Sequence, residues 1–336
     1  MLASFDILRD EHRSRSTSAT QFQCAFAMRG IVTAETEQLE SLLRDGWQRH
    51  AEGAEPLASE LESASAQVTP DTLAPFIHLS THTIGEHLGD WTRLLRLGKR
   101  VVDGRTPTRE TAKAWGRLYV VAVLAGDSVQ AAEWELAYLT AAGDEFGAAL
   151  LDMRFMLASA LIASNRTREA ALLYRGALDL VGQVRQSLVL DRTIAIASNN
   201  LSWELYEMLT RTVEDDLLMK SSAETSYTFW LRCGDWINKE RALHLKAVVA
   251  NATGDPTSGL ENANAALAII EANGDRPLDA ARLHLARAVS FAAIGDDSAR
   301  AKAVGDADAI VARLADTKLI TKFATERARV SRLFRG

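Results

Sequence analysis

Residues 157–177 read LASALIASNRTREAALLYRGA, and this stretch decides the fold. Apolar residues recur at helical spacing on both sides of a short polar centre, Ser164-Asn165, which predicts two helices joined by a tight turn. The small side chains of Ala158 and Ala170 allow the paired helices to approach each other closely. The stretch therefore predicts a helical hairpin.

A glycine–aspartate pair recurs along the chain and predicts the same kind of turn. Glycine accepts the left-handed conformation that ends a helix, and aspartate caps the next helix by accepting a backbone N–H bond. The first two pairs are 37 residues apart, Ser164 follows 38 residues later, and the last two pairs are 41 apart. A period of this size indicates stacked helical hairpins. The pairs are Gly89-Asp90, Gly126-Asp127, Gly254-Asp255 and Gly295-Asp296.

The opening stretch also resembles the tetratricopeptide repeat. Leu157-Ala158, Leu161 and the series Ala170, Tyr174, Ala177 stand at the spacing of that family. Residues 199–202, Asn-Asn-Leu-Ser, resemble a run in kinesin-light-chain-type repeats, and the resemblance as a whole covers residues 70–316. Partial matches in the second and fifth hairpins are Trp115, Leu118, Ala131, Ala247, Gly259, Ala263 and Ala266.

The resemblance implies an all-α fold. We expect a right-handed superhelix, or α-solenoid, of about six antiparallel helix hairpins with a C-terminal capping helix, because the last hairpin would otherwise expose its inner face. Four regions are expected: an N-terminal arm, mobile or docking (1–33), N-terminal helices (34–69), the repeats (70–316) and a basic amphipathic capping helix (317–336).

Composition agrees with a helical globular protein. The 336 residues are 47% hydrophobic and 24% charged and include only 6 prolines. The net charge of −6 does not favour nucleic acid as a partner. Cys24 and Cys233 form no CxxC pair, and no apolar run is long enough to span a membrane. We therefore expect a cytoplasmic protein.

Motifs of catalysis are missing from the sequence. It contains no GxxxxGK[ST] or GxGxxG phosphate loop, no GxSxG elbow and no HExxH zinc motif. This predicts a non-catalytic protein without a cofactor, and leaves open only a site assembled from distant residues.

The best metal-ligating set is His78, His82 and Glu86, with His87 beside it. Their i, i+4, i+8 spacing places them along one helix face, and two imidazoles with a carboxylate can bind zinc. The alternative, which we favour, is a polar strip on the first hairpin.

The resemblance also implies a concave groove lined by the first helix of each hairpin. Arg241, His244 and Asn251 fall on one helical stripe, and Asn199, Trp203 and Tyr206 form another. Polar side chains beside aromatic rings suit the capture of a peptide. For each of the two aromatics taken alone, we favour the alternative that it is a packing residue. The residues that the resemblance places in the groove are Asp152, Phe155, Ser159, Asn199, Trp203, Tyr206, Arg241, His244, Asn251 and Arg282.

Three further features have an ordinary structural explanation. His244 and His284 share a Leu-His-Leu context, which repeat homology explains without catalysis. The acidic run Glu214-Asp215-Asp216 suits the start of a helix. The last helix is basic, which suits a solvated cap better than a surface for nucleic acid, and the opposite charges of the two ends would permit self-association.

The sequence therefore predicts a scaffold or adaptor that binds a protein or peptide in its groove. Two alternatives stay open. The chain could be a sensor or regulator that responds to a small molecule or peptide. It could also be a helical enzyme with a dispersed site, an alternative that only His78, His82 and Glu86 support.

Overall fold

The computed structural model describes residues 34–50 and 53–333, and within these ranges the regular elements are helices, with no strand. Successive helices pack in adjacent pairs, so the predicted all-α class is confirmed. The predicted arm, 1–33, lies outside the described residues. The chain forms two compact units, which meet in sequence at Arg185 and Gln186, inside the region predicted to hold the repeats.

The first unit contains eight α-helices among its described residues. A π-helical segment, Thr81–His87, continues α3 directly, and α5 packs against α6 as α7 does against α8. Its core includes Leu57, Phe76, Leu97 and Leu118, all fully buried. The helices are α1 (Ala34–Arg49), α2 (Ala54–Ala64), α3 (Pro70–Ser80), α4 (Trp91–Val102), α5 (Ala112–Leu124), α6 (Ser128–Ala142), α7 (Phe146–Ala163) and α8 (Thr167–Leu180).

The second unit continues the paired arrangement. Helix α9 packs against α10, α11 against α12, and α13 against α14, while α9, α11, α13 and α15 also contact one another in that order. These four alternate helices therefore form one layer of the unit. The helices are α9 (Leu188–Glu207), α10 (Val213–Cys233), α11 (Trp236–Ala252), α12 (Pro256–Asn273), α13 (Pro277–Ile294), α14 (Asp297–Val311) and α15 (Thr317–Leu333).

The glycine–aspartate turns are confirmed. All four glycines have positive φ, from 68° at Gly89 to 84° at Gly295, and Asn165 takes the same role at φ 58°. Each following aspartate caps the next helix by accepting a backbone N–H bond, as at Asp127, which accepts from the amide of Gln130. The other three bonds run from Arg93 to Asp90, from Ser258 to Asp255 and from Ala299 to Asp296.

The acidic run and the closing helix also follow the predictions. Asp215 completes a capping box with Thr212 at the start of α10, so these carboxylates stabilise a helix terminus. In α15, Phe323 is buried against the last hairpin. Arg327 of α15 forms a bidentate ion pair with Asp308 of α14, at 2.6 and 2.7 Å, which fastens the cap to the unit.

Among the residues that the structure describes, one helical stretch, Ser128–Ala163, is apolar and long enough to cross a membrane by length and composition. It comprises α6, a 3-10 turn at Gly143–Glu145, and α7. Half of its most apolar window is buried inside the first unit, as in the core helices of many globular proteins.

Gly259 in α12 permits a close approach between helices of the second unit. A Cβ atom there would collide with the Asn251 side chain and lie 2.9 Å from Ser290 Oγ. The Asn251 amide donates to the Ala286 carbonyl at 2.9 Å and accepts from the Ser290 hydroxyl at 2.8 Å, so it bridges α11 and α13.

We therefore expect Gly259→Ala to lower the free energy of unfolding by about 1–3 kcal/mol, because the bridge must shift to admit the methyl group. Gly305→Ala in α14 is the matched control. No atom lies within 4 Å of that Cβ position, so the better helix propensity of alanine should raise stability by about 0.5–1 kcal/mol. Urea unfolding measures both, and equal effects would show that Gly259 has no packing role.

Candidate functional site

The predicted groove residues of the second unit largely come together on the layer of alternate helices. We call this set the inner-helix cluster. It contains contacts between each successive pair of these helices: Trp203 with His244, Arg241 with Asp279, and Arg282 with Glu326. Its members are Trp203 and Tyr206 of α9, Arg241 and His244 of α11, Asp279 and Arg282 of α13, and Glu326 of α15.

Aromatic rings form one end of the inner-helix cluster. The Trp203 ring meets the Tyr206 ring edge to face at 5.6 Å and the His244 ring at 6.0 Å, measured between centroids. The side chain of Trp203 is half-buried, and its indole Nε1–H is buried without a hydrogen-bond partner in the described part of the chain. A buried donor of this kind costs free energy until it meets an acceptor.

Ion pairs form the other end. Arg282 donates to both oxygens of Glu326, at 2.8 and 2.6 Å. Asp279 is buried, and its carboxylate accepts hydrogen bonds from Arg276 at 2.9 Å and from Arg241 at 3.4 Å. Burial opposes the charged form of Asp279, but Arg241 and then Arg276 hold the pKa of this carboxyl below its ordinary value. The guanidinium charges are therefore compensated inside the unit.

Glu240 lies beside this network in a position that the sequence pattern did not identify. The residue is fully buried, and neither carboxylate oxygen has a hydrogen-bond partner among the described residues. Burial and then the charge of Asp279 raise the pKa of Glu240 to about 8, against the lowering effects of Arg241 and Arg276. Glu240 is therefore protonated more readily than an exposed glutamate.

His244 is neutral in the same environment. Burial and then Arg282 lower the pKa of His244 to about 4. His284, its counterpart on α13, also has a lowered pKa, chiefly because of burial. It lies 3.3 Å from an Arg287 nitrogen and 3.9 Å from Asp306.

Two other predicted groove residues have structural contacts in the second unit. Asn199 is buried and donates to the side chain of its neighbour Asn200 at 3.2 Å. Asn251 forms the bridge to α13 described above. Their amides are therefore engaged within the unit, although both lie on the helices that the sequence predicts to line the groove.

The predicted groove residues of the first unit lie on α7. Asp152 accepts a hydrogen bond of 2.8 Å from the Tyr138 hydroxyl of α6. Phe155 is buried, with its ring 5.7 Å from that of Tyr174, which assigns it to the core between α7 and α8. Ser159 is half-buried.

Three histidines of the first unit converge, and we call them the three-histidine cluster. His50 follows α1 directly, while His82 and His87 belong to the π-helical segment after α3. One possible ligand atom from each lies within 4.8 Å of the other two, and His82 Nε2 is 3.3 Å from His87 Nε2. Burial, and then His82 and His50, lower the pKa of His87 to about 4, which keeps this imidazole neutral.

The cluster overlaps only in part with the metal set expected from the sequence. Of the predicted His78, His82 and Glu86, only His82 belongs to the cluster. Glu86 instead contacts His82 Nδ1, and His78 packs against the Trp47 ring at 4.8 Å. His50 was missed because it is 32 residues from His82 in sequence. His87 was noted only as a neighbour of the predicted set, because residue i+5 of an α-helix points about 140° away from residue i.

The π-helical segment explains why His87 faces His82. Its hydrogen bonds run from residue i+5 to residue i, as from the Leu88 amide to the Thr83 carbonyl at 3.2 Å, and this widens the turn. Gly85 makes room for the segment, since a Cβ there would lie 2.5 Å from the Trp91 ring. Single π-helical turns of this kind are frequent at functional sites.

Comparison with known proteins assigns no relationship. No protein-family model matches the chain, and no curated protein matches its sequence.

Proposed function

We propose that the chain is a non-catalytic scaffold or adaptor, a tetratricopeptide-like α-solenoid in the cytoplasm that binds a protein partner through its inner-helix cluster. The observation that carries the proposal is the continuity of this cluster. Aromatic, imidazole and guanidinium groups follow one another across α9, α11 and α13, and the Glu326 carboxylate of α15 completes the series. In tetratricopeptide arrays the corresponding alternate helices line the groove.

The chemistry of the cluster suits an extended peptide or a partner helix. Trp203 and Tyr206 offer flat apolar area at little cost in side-chain entropy, and such residues commonly dominate binding energy. Because Arg241 and Arg282 are already neutralised by Asp279 and Glu326, the cluster should favour a partner of mixed composition over a strongly acidic one.

The test replaces Tyr206 with a photo-crosslinkable amino acid in the full chain. We expect irradiation in the native host to join this position to a partner, which mass spectrometry then identifies. The same residue placed at Glu261, on the exposed side of α12, is the control and should give no such adduct.

Trp203→Ala should then weaken binding of that identified partner by at least about tenfold, since a central tryptophan often contributes 2 kcal/mol or more. Trp203→Phe keeps most of the ring packing and serves as the folding control. Equal crosslinking at both positions, or an unchanged dissociation constant for a folded Trp203→Ala variant, would contradict binding at the inner-helix cluster.

A further inference from the structure

The three-histidine cluster has the spacing of a metal centre. In a tetrahedral zinc site with Zn–N distances of about 2.0–2.1 Å, two ligand nitrogens lie about 3.3–3.4 Å apart. The Nε2 atoms of His82 and His87 are 3.3 Å apart. The third ligand atom, from His50, lies within 4.8 Å of both, so this nitrogen would move by up to about 1.5 Å to complete the triangle.

For His50 and His82, hydrogen bonds at the opposite ring nitrogen set the tautomer that a metal requires. His50 Nδ1 lies 2.7 Å from the Trp47 carbonyl oxygen. A carbonyl only accepts, so Nδ1 carries the proton and Nε2 carries the lone pair. His82 Nδ1 contacts the Glu86 carboxylate in the same way. A carboxylate or carbonyl behind each imidazole is the usual second layer of a histidine–zinc site.

The surroundings exclude water from His82, whereas His50 and His87 are half-buried. His82 is only 4% exposed. The Trp47 ring stacks on His82 at 5.4 Å between centroids and contacts His50 at 5.8 Å. Gly46, the preceding residue, allows α1 to approach α3, because a Cβ there would lie 2.7 Å from Leu79 Cδ2. The position of His50 opposite the π-helical segment therefore depends on this close approach of two helices.

We propose that His50, His82 and His87 bind one Zn²⁺ ion. Imidazole nitrogen is a preferred ligand of zinc, and three protein ligands leave a fourth position for water. Glu86 acts as a positioning residue that orients His82 and does not itself ligate the ion. This assignment is independent of partner binding at the inner-helix cluster, which belongs to the other unit.

Titration of the full-length, chelator-treated protein with Zn²⁺ against a chromophoric chelator tests the proposal. We expect one ion per chain, and Mg²⁺ should not compete, because it prefers oxygen ligands. His50→Ala, His82→Ala and His87→Ala should each weaken zinc binding by at least about 100-fold, and Glu86→Gln by about 10–100-fold.

His78→Ala is the matched control, because His78 contacts the same Trp47 ring but is no member of the cluster. We expect its zinc affinity to equal that of the wild type. If His78→Ala abolished binding while His50→Ala and His87→Ala did not, the metal would be held by the helical set His78, His82 and Glu86, and the proposal would be overturned. Absence of any stoichiometric binding would overturn it equally.

Two measurements separate loss of the site from loss of the fold. The thermal midpoint in excess chelator should be similar for the wild type and for at least His50→Ala, which replaces a residue outside the helices. Zn²⁺ should raise the midpoint of the wild type and leave that of His50→Ala unchanged, because a ligand stabilises only the state that binds it. In addition, Co²⁺ in place of Zn²⁺ should give the visible absorption of a four-coordinate site, whereas a six-coordinate spectrum would contradict the proposed geometry.

Discussion

Asp279→Ala should destabilise the second unit by about 3–5 kcal/mol, a larger loss than we expect from Gly259→Ala. The Asp279 carboxylate is buried and accepts hydrogen bonds from Arg276 at 2.9 Å and from Arg241 at 3.4 Å. An Arg282 nitrogen lies 3.6 Å from the same carboxylate. Its removal leaves buried positive charge without the shared anion, and the cost of an uncompensated buried charge exceeds the value of the pair itself. Urea unfolding followed by tryptophan fluorescence at pH 7 measures the change.

Asp297→Ala provides the matched comparison. Asp297 pairs with Arg300 at 3.0 Å with the same i, i+3 separation as Asp279 and Arg276, but its side chain is 83% exposed. Exposed pairs contribute little, so we expect a loss below about 1 kcal/mol. Similar losses in the two variants would mean that burial does not set the strength of the Asp279 network.

Glu240→Gln should stabilise the protein, and the gain should grow with pH. Burial raises the pKa of Glu240 to about 8, whereas the same carboxyl in the unfolded chain ionises near its ordinary value of 4.5. Between these values the folded state keeps a proton that the unfolded state releases, so the stability of the wild type falls as the pH rises from about 4.5 to about 8. Glutamine does not ionise, so the stability of the Glu240→Gln variant should not fall with pH in this way.

The expected difference is on the order of 3 kcal/mol more stabilisation by Glu240→Gln at pH 8 than at pH 5. Urea unfolding at pH 5, 6.5 and 8 gives the profile. Glu261→Gln, at an exposed carboxylate in the same unit, should show no such trend. A stability difference between Glu240→Gln and the wild type that stays constant with pH would refute the raised pKa.

The two substitutions should also be coupled. Without Asp279, Glu240 is still buried but loses the charge that adds to the effect of burial on its pKa, and its Oε1 lies 3.8 Å from Arg241 Nε. Glu240 should then ionise more readily and serve as a counterion of Arg241. In the Asp279→Ala background, Glu240→Gln should therefore destabilise the protein at pH 8, and a double-mutant cycle should show a coupling above about 1 kcal/mol.

The turns and helix boundaries could be predicted because their causes are local. Gly126 ends a helix with positive φ and Asp127 caps the next one within three residues, so both signals are readable in the sequence. The same holds for the start of α3 at Thr69-Pro70 and for the closing helix from Thr317. The division at Arg185 has no comparable local signal, since it depends on which helices contact each other.

The candidate sites could be predicted only where the α-helical period applies. It placed Trp203, Arg241 and His244 on neighbouring helices of one layer, where the structure brings them together. It could not identify Glu240, because its environment comes from burial and then from the charge of Asp279 on another helix. It also could not anticipate that the Asn251 amide contacts α13, since that contact depends on the small residue at Gly259.

The widened turn from Thr81 to His87 has a consequence for how the first unit could respond to metal. Conversion of this turn to α-helical hydrogen bonds would rotate His87 by roughly 100° away from His82, the angle of one residue. An ion held by both rings would therefore stabilise the π-helical hydrogen bonds of this segment. By reciprocity, any interaction that favours α-helical hydrogen bonds here would weaken metal binding. Metal occupancy and the orientation of the turn at residues 88–90, which leads into α4, would then depend on each other.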